Sequence, residues 1–460
     1  MSTRKPRVLL LVPPGPGIYI RDNYCSYSSK ADYYWPPIDL VVQSGILRDC
    51  AEISVLDATA KRLNPTDALD AAEALKPDVV LFITGPASID QDLAFITNLK
   101  SRTGAHIYGS GGNLTFWGED IMASCSAIDG ILLEFISDSM AHLVAGDRMS
   151  LEGLLLRENG RIQRFPAKKK KNFRCGIPQH TAFPLSRYKV PQAKRHPLAR
   201  TLTSFGCSYQ CDYCIEGRFP LVYRDPDEVC EEFQELARLQ IPEIYFMDNV
   251  LTAWRERFLF YCRELEKMGC FSWFGQCRVD NLDEEIIIAA KRAGCHFMMI
   301  GVETGSSELL SAHHKGHGLE ESKKAFALLR KHGIETLAYF MLGLTGETPE
   351  SMNATLDFAL QLPCDYATFS ITTPDPGTPM REEAIRAGDL DPARTVFDST
   401  TGSPLRLKAL TQEQLRAFQK KTTRSFYLRP NYLLSRLAKI SGPRDLLSKC
   451  RTAYSLLFSN

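Results

Sequence analysis

The chain has 460 residues, 44% apolar and 24% charged, with a formal net charge of +1. That length allows two domains with an ample core, and the balance is that of a globular chain, not a disordered or fibrous one. Charge this close to neutral excludes the long-range pull toward nucleic acid or an anionic membrane that a basic chain exerts. At the N-terminus, Arg4, Lys5 and Arg7 precede a short apolar run, 8–12, that stops at Pro13-Pro14 without a secretory pattern. No run reaches the roughly 18 apolar residues of a membrane span, so no transmembrane segment and a cytoplasmic location are expected.

Strand and helix signals alternate over residues 7–146. Runs rich in Val, Ile and Leu at 7–12, 52–56, 78–83, 105–108 and 130–134 predict short buried strands. Helical stretches are predicted at 38–49, 66–75, 89–101 and 137–145. This alternation predicts an open, doubly wound parallel sheet, whose ligands sit beyond the carboxyl ends of the strands. Three features mark those ends: Pro13 to Gly17, Thr84-Gly85, and Gly109-Ser110-Gly111-Gly112-Asn113. Glycines there let a flat ligand approach the backbone and the Thr84 hydroxyl can donate to it, although Gly-rich turns close many strand–helix units without binding anything.

Residues 147–199 are expected to form a linker. Asn159-Gly160 is the turn pair of a hairpin, Lys168 to Lys171 predict a solvated charge run, and Pro178, Pro184, Pro191 and Pro197 forbid a continuous helix. From residue 200 a repeated strand–helix unit begins, with strands predicted at 201–205, 243–248, 271–278, 296–303, 335–342 and 366–372. Helix starts are legible at Asp225-Pro226-Asp227-Glu228 and Thr348-Pro349, and a stop at Gly333. Six such units make a partial parallel barrel with its chemistry at the carboxyl rim. A mostly helical region, 386–460, follows the barrel at 200–385.

On that rim lies Gly206-Cys207-Ser208-Tyr209-Gln210-Cys211-Asp212-Tyr213-Cys214. Three thiols spaced C-x3-C-x2-C on one loop can reach three corners of an iron–sulfur cubane and leave one iron open. The alternatives are a zinc loop or simple burial, but no second pair of Cys or His stands at zinc-site spacing. The remaining cysteines are scattered and read as small buried residues of a reducing compartment. His313, His314 and His317 follow in a Gly-containing loop, where solvent exposure is expected over a metal site.

The cysteine loop and its surroundings resemble the radical S-adenosylmethionine (SAM) superfamily, in which the open iron chelates the amino and carboxylate groups of SAM. The resemblance implies a (β/α)6 barrel. It also implies that Cys207, Cys211 and Cys214 ligate a 4Fe-4S cluster and are the catalytic centre. Glu303, in "IGVETGSSELL", is similar to the Gly-x-Glu segment that contacts SAM. Arg278 resembles the arginine of "CRVD" that pairs with the methionyl carboxylate. Tyr213 stands where the family places an aromatic near adenine, and Leu342 where it makes an apolar shelf. Asp248 is a further candidate contact, with barrel hydrogen bonding as the alternative.

Residues 1–146 resemble the cobalamin-binding domain upstream of many radical SAM enzymes through "LLLVPPGPG", "YYWPPIDL", "DVVLFITG" and "IYGSGGN". This implies a Rossmann-like domain holding cobalamin near Thr84, Gly111 and Gly112. The cobalt-ligating D-x-H-x-x-G signature is absent, as it commonly is in these relatives. An acidic Gly-Glu-Gly-Glu-like segment found in relatives is replaced by Leu133-Glu134-Phe135-Ile136-Ser137; the alternative is a retained shell that packs or binds substrate. "PGET"- and "PYPGT"-like segments at 346–348 and 373–379, and the tail "FYLRPNYLLSRL", extend the resemblance over nearly the whole chain.

The resemblance implies an enzyme that cleaves SAM reductively and functionalises an unactivated C–H bond. Cobalamin-dependent C-methylation of a lipid or natural-product intermediate is the first expectation; radical cyclisation, ring contraction or coupling is the second. A non-catalytic cobalamin or redox sensor is the rival from another class. Expected partners are a small, lipid-like or aromatic substrate and an electron donor such as flavodoxin or ferredoxin, with no nucleic acid.

Overall fold

Apolar runs without polar alternation must be covered on both faces, and the chain meets that demand twice. The computed structural model describes residues 4–22, 26–29, 33–112, 114–392 and 402–437. Asn113 of the glycine-rich segment and residues 438–460 of the expected C-terminal region lie outside the described residues.

The first half runs β1 (Arg7–Val12), β2 (Tyr19–Arg21), β3 (Ser26–Ser28), α1 (Ile38–Ile46), β4 (Glu52–Asp57), α2 (Pro65–Ala74), β5 (Val79–Ile83), α3 (Ile89–Thr103), β6 (His106–Ser110), α4 (Leu114–Ser124), β7 (Gly130–Leu132), α5 (Ser139–Ala145), β8 (Leu154–Glu158), β9 (Arg161–Phe165) and β10 (Asn172–Phe173). Its seven-stranded sheet has the order β4-β1-β5-β6-β7-β8-β9. The first five of these are parallel, and β8 and β9 add antiparallel on the far edge. The sheet thus continues past residue 146 into the stretch expected to be linker. The β2–β3 hairpin and α4 are not legible in the sequence. Tyr19–Ser28 is too short for a period, and glycines before and within α4 read as loop.

The second half runs β11 (Leu198–Thr201), β12 (Ser204–Phe205), β13 (Val222–Arg224), α6 (Pro226–Arg238), β14 (Glu243–Phe246), α7 (Arg255–Met268), β15 (Ser272–Cys277), α8 (Glu284–Arg292), β16 (Cys295–Glu303), α9 (Ser307–Ala312), α10 (Leu319–Lys331), β17 (Glu335–Leu342), α11 (Pro349–Gln361), β18 (Tyr366–Ile371), α12 (Pro379–Arg386), α13 (Gln412–Tyr427) and α14 (Pro430–Leu437). A six-stranded parallel sheet in strict sequence order, β11-β14-β15-β16-β17-β18, forms the half-pipe. The legible caps are there: Asp225 accepts from the backbone of Asp227 and Glu228, and Thr348 from that of Ser351.

The first half-pipe strand lies upstream of its expected place. The run 201–205 splits, with Thr201 ending β11 and Ser204–Phe205 pairing with β13 in a separate three-stranded sheet. Arg200 hides the true strand, because a charge reads as a boundary. Here it is buried, with its guanidinium 3.0 Å from Asp22 and 2.6 Å from the Pro36 carbonyl, and 5.4 and 5.1 Å from the ring centroids of Trp35 and Tyr245. Val8, Leu10 and Val12 of β1 share one apolar cluster with Tyr245, Phe274 and Met299 of the half-pipe, so the two sheets have a common core.

The connector is not a solvated linker beyond Asn172. His180 bonds Glu232 at 2.8 Å, and Glu228 accepts from the backbone of Cys175 and Gly176, binding the connector to α6. Burial alone would raise the Glu232 pKa, but Arg224 and His180 pull it down to about 2. Among the described residues no helix is long and apolar enough to cross a membrane.

Asp57, at the end of β4, is fully buried and accepts from Tyr188 at 3.0 Å and from the Ala60 amide at 2.8 Å. Burial lifts its pKa from 3.8 to about 6 against those hydrogen bonds. The unfolded carboxyl ionises first, so stability present below about pH 4 is lost as the pH rises to about 6, by about 3 kcal/mol at most. Asp57→Asn should flatten the pH dependence of the thermal unfolding midpoint over that window.

Candidate active site

The cysteine loop is fastened before it begins. Asp248, just after β14, is fully buried and accepts from the Thr203 amide at 3.0 Å, the Thr203 hydroxyl at 2.7 Å and the Ser204 hydroxyl at 2.6 Å. Its carboxylate therefore holds the approach to the loop, and the expected SAM contact gives way to the barrel-bonding alternative. Gly206 has φ of +80°, and a side chain there would overlap the Pro220 carbonyl. The Cys207 amide bonds the Phe219 carbonyl at 3.2 Å and the Cys214 amide the Cys211 carbonyl at 3.2 Å, closing the loop. Cys207, Cys211 and Cys214 are free thiols, with Cys211 buried and the other two partly exposed.

Across the loop lies a network of charged groups. Glu303 ends β16 with φ of +72°, a strained conformation for a residue with a side chain. Its carboxylate is 2.6 Å from Lys315, and a side chain at Gly301 would strike that pair. Arg278 does not have a vacant fork: its Nε and Nη2 lie 2.9 Å from the two oxygens of Asp280. Its guanidinium stacks 3.6 Å from the Tyr209 ring centroid, and Nη1 lies 4.0 Å from Cys211 Sγ. The expected pairing with a methionyl carboxylate thus finds the planar fork already bound, leaving Nη1 and the positive charge facing the thiols.

His313 and His317 are buried, against the expected exposure; only His314 faces solvent. His313 Nδ1 lies 2.9 and 3.0 Å from the two oxygens of Asp212, and Nε2 lies 2.9 Å from the Thr345 carbonyl. Acceptors on both nitrogens favour the protonated ring. Burial opposes this, but Asp212 outweighs it and raises the pKa. His313 therefore ties the middle of the cysteine loop to the end of the next half-pipe unit. Among the described residues no three His, Cys, Asp or Glu side chains converge on one metal ion.

Several buried polar atoms at this rim have no hydrogen-bond partner among the described residues: Tyr213 Oη, Glu216 Oε1, His317 Nε2 and Thr372 Oγ1. Such atoms are costly in a dry interior and mark a place for a polar ligand. Glu216, two residues past Cys214, accepts from Asn249 at 2.8 Å through its other oxygen. Burial, with Asp22, Asp375 and Asp39 adding to it, raises its pKa to about 8 against the Asn249 bond. Burial likewise takes Asp375 to about 7. Both carboxyls therefore keep their protons to higher pH than an ordinary carboxyl.

The remaining candidates sit less directly. Leu342 is fully buried in the helix-side core with Phe340 and Leu415, so its side chain makes no shelf at the rim. The Thr84 hydroxyl donates to Asp92 at 2.7 Å, leaving only its oxygen to accept. Gly111, with φ of +139°, turns its bare face to the Thr84 carbonyl, and a side chain would overlap it. Phe116 of α4 meets Phe219, whose carbonyl closes the cysteine loop, at 6.2 Å, and Gly112 lies two residues before α4 begins. Lys315, His313, Asn249 and Glu216 are absent from the sequence-derived site. The signal for the first two was a cluster of basic residues between glycines, shortly after the Glu303 strand.

Comparison with known proteins agrees with this geometry. Residues 201–359 match the model of the radical SAM superfamily. A Pyrococcus horikoshii protein named an uncharacterized methyltransferase is 29% identical over 422 residues, covering 88% of this chain and 91% of that protein. The anaerobic magnesium-protoporphyrin IX monomethyl ester cyclase of Rubrivivax gelatinosus is 25% identical over 387 residues, covering 80% and 69% respectively. The structure of the radical SAM methyltransferase TsrM from Kitasatospora setae, with cobalamin and a 4Fe-4S cluster bound, superposes with a TM-score of 0.68 at 21% identity, covering 85% of this chain and 79% of that one. Residues 201–359 are a radical SAM domain.

Proposed function

We propose that this protein is a cobalamin-dependent radical SAM enzyme that methylates an unactivated carbon of a lipid or natural-product intermediate. The observation that carries the reading is the closed loop of three free thiols beside buried, unpartnered polar atoms on the same rim. Those residues fit a 4Fe-4S cluster and SAM in donor type, with the three thiols on one loop. When bound, such a cluster would supply the electron for reductive cleavage of SAM, and a methylated corrinoid would supply the methyl group.

The chain's own residues prepare for this. Cys207, Cys211 and Cys214 hold the cluster. Burial pushes the Cys207 and Cys214 pKa values up, and iron binding displaces the thiol protons. Glu303 accepts from a ribose hydroxyl or the methionyl ammonium, with Lys315 fixing its orientation. Tyr213 offers its phenol edge, and Asn249 and Glu216 offer oxygens. Phe116 against Phe219 and Phe135 against Phe205, the latter pair at 5.2 Å, close the seam to water.

The corrinoid reading is supported by the fold shared with TsrM and by the approach of the Gly111-Gly112 segment, through Phe116, to the cysteine loop. An electron donor such as flavodoxin or ferredoxin and a cytoplasmic location belong to the same proposal. The cyclase relative favours a second reading, in which the substrate radical closes a ring instead of accepting a methyl group.

Protein purified without oxygen should hold about four iron and four sulfide per chain, and each of Cys207→Ala, Cys211→Ala and Cys214→Ala should remove most of the iron. Given SAM and dithionite, the native protein should release 5′-deoxyadenosine and methionine; absence of both products from iron-loaded protein would sink the reading. Lys315→Met leaves the Glu303 carboxylate buried without its partner and should cost about 3–5 kcal/mol of stability in chemical denaturation. Combining it with Glu303→Gln should restore most of that loss while SAM binding stays weakened.

A further inference from the structure

In the order β4-β1-β5 the chain leaves β1 toward one side of the sheet and β5 toward the other. The crevice between their carboxyl ends is the switch point, where sheets of this kind admit the slender part of a ligand. Here the β2–β3 hairpin already occupies it. Arg21 and Asp92 have no exposed side-chain surface and face each other through both carboxylate oxygens, at 2.8 and 2.9 Å. The same guanidinium donates to Ser88 at 2.9 Å and to Thr59 at 3.0 Å. Thr84 and Ser88 each donate to Asp92 at 2.7 Å. One arginine therefore stitches together the segments that follow β4 and β5.

The glycines expected to admit a ligand are closed by the chain's own atoms. A side chain at Gly15 would meet the Tyr19 ring, one at Gly85 the side chain of Ser26, and one at Gly111 the Thr84 carbonyl. Ser26 also accepts from the Ala87 amide at 3.2 Å, which holds the hairpin down over β5. Entry of any ligand arm at this point would separate Arg21 from Asp92 and leave a charge buried without its partner, an expensive exchange.

A corrinoid has two chemically distinct parts, a flat macrocycle with amide arms and a nucleotide tail that ends in a base. Resting on the corrinoid reading above, we infer that the paired strands β2 and β3, through Arg21 and Ser26, seal the switch point, so that the corrinoid is held through its macrocycle alone and its nucleotide tail stays outside the sheet. The bound tail then contributes no contact and no affinity.

The test uses the full chain with its cluster reconstituted and compares two probes, hydroxocobalamin and diaquacobinamide, which lacks the nucleotide tail. Each is titrated by visible absorption and checked by equilibrium dialysis. The inference expects cobinamide to bind as tightly as hydroxocobalamin, within threefold, or more tightly. A threefold or greater advantage for hydroxocobalamin, including its binding alone, overturns the inference and leaves the corrinoid reading standing. Binding of neither probe overturns both.

Discussion

Asp248 is the constraint on which the site depends. A carboxylate with no exposed surface is tolerable only when its lone pairs are filled, and Thr203 and Ser204 fill them. These residues lie between the last residue of the first half-pipe strand and the cysteine loop. The same bonds that satisfy a buried charge therefore set where the loop departs. Asn249, the next residue, continues the arrangement by holding the Gly206 carbonyl and Glu216. From the opposite side His313 grips Asp212, so the loop is held at its entry, its middle and its exit.

The second constraint is the seam between the sheets. Arg200 projects from the half-pipe toward the first domain and is neutralised there by Asp22, with the rings of Trp35 and Tyr245 beside it. With the two sheets sharing an apolar cluster, the halves cannot separate without exposing that core and parting a buried pair. Burial in the seam raises the pKa values of Glu216 and Asp375 toward neutrality, and for Glu216 the nearby Asp22, Asp375 and Asp39 add to it. A rim with carboxyls of raised pKa beside thiols is suited to polar, uncharged parts of a ligand as much as to cations.

Parts of the sequence that looked like ligand cradles serve the fold itself. Gly85 and Gly111 keep their bare faces for Ser26 and for the Thr84 carbonyl. Arg278, read as a carboxylate fork, has Asp280 in it. For the two glycines the partner comes from another segment of the chain, whereas for Arg278 it stands two residues on.

The residues alone determine the two runs of strand–helix units, the helix starts at Asp225 and Thr348, and the three thiols on one short loop. These are local matters of period, cap and spacing, written within a few residues of one another. Tertiary structure alone decides that Arg200 belongs inside a strand, that Asp248 serves the backbone and that Leu342 turns to the helices. It also brings Lys315 to Glu303, His313 to Asp212 and Arg21 to the switch point. The reason is physical: the role of a buried polar group is fixed by which donor or acceptor lies within about 3 Å of it, and that neighbour is chosen by packing between segments far apart in the chain.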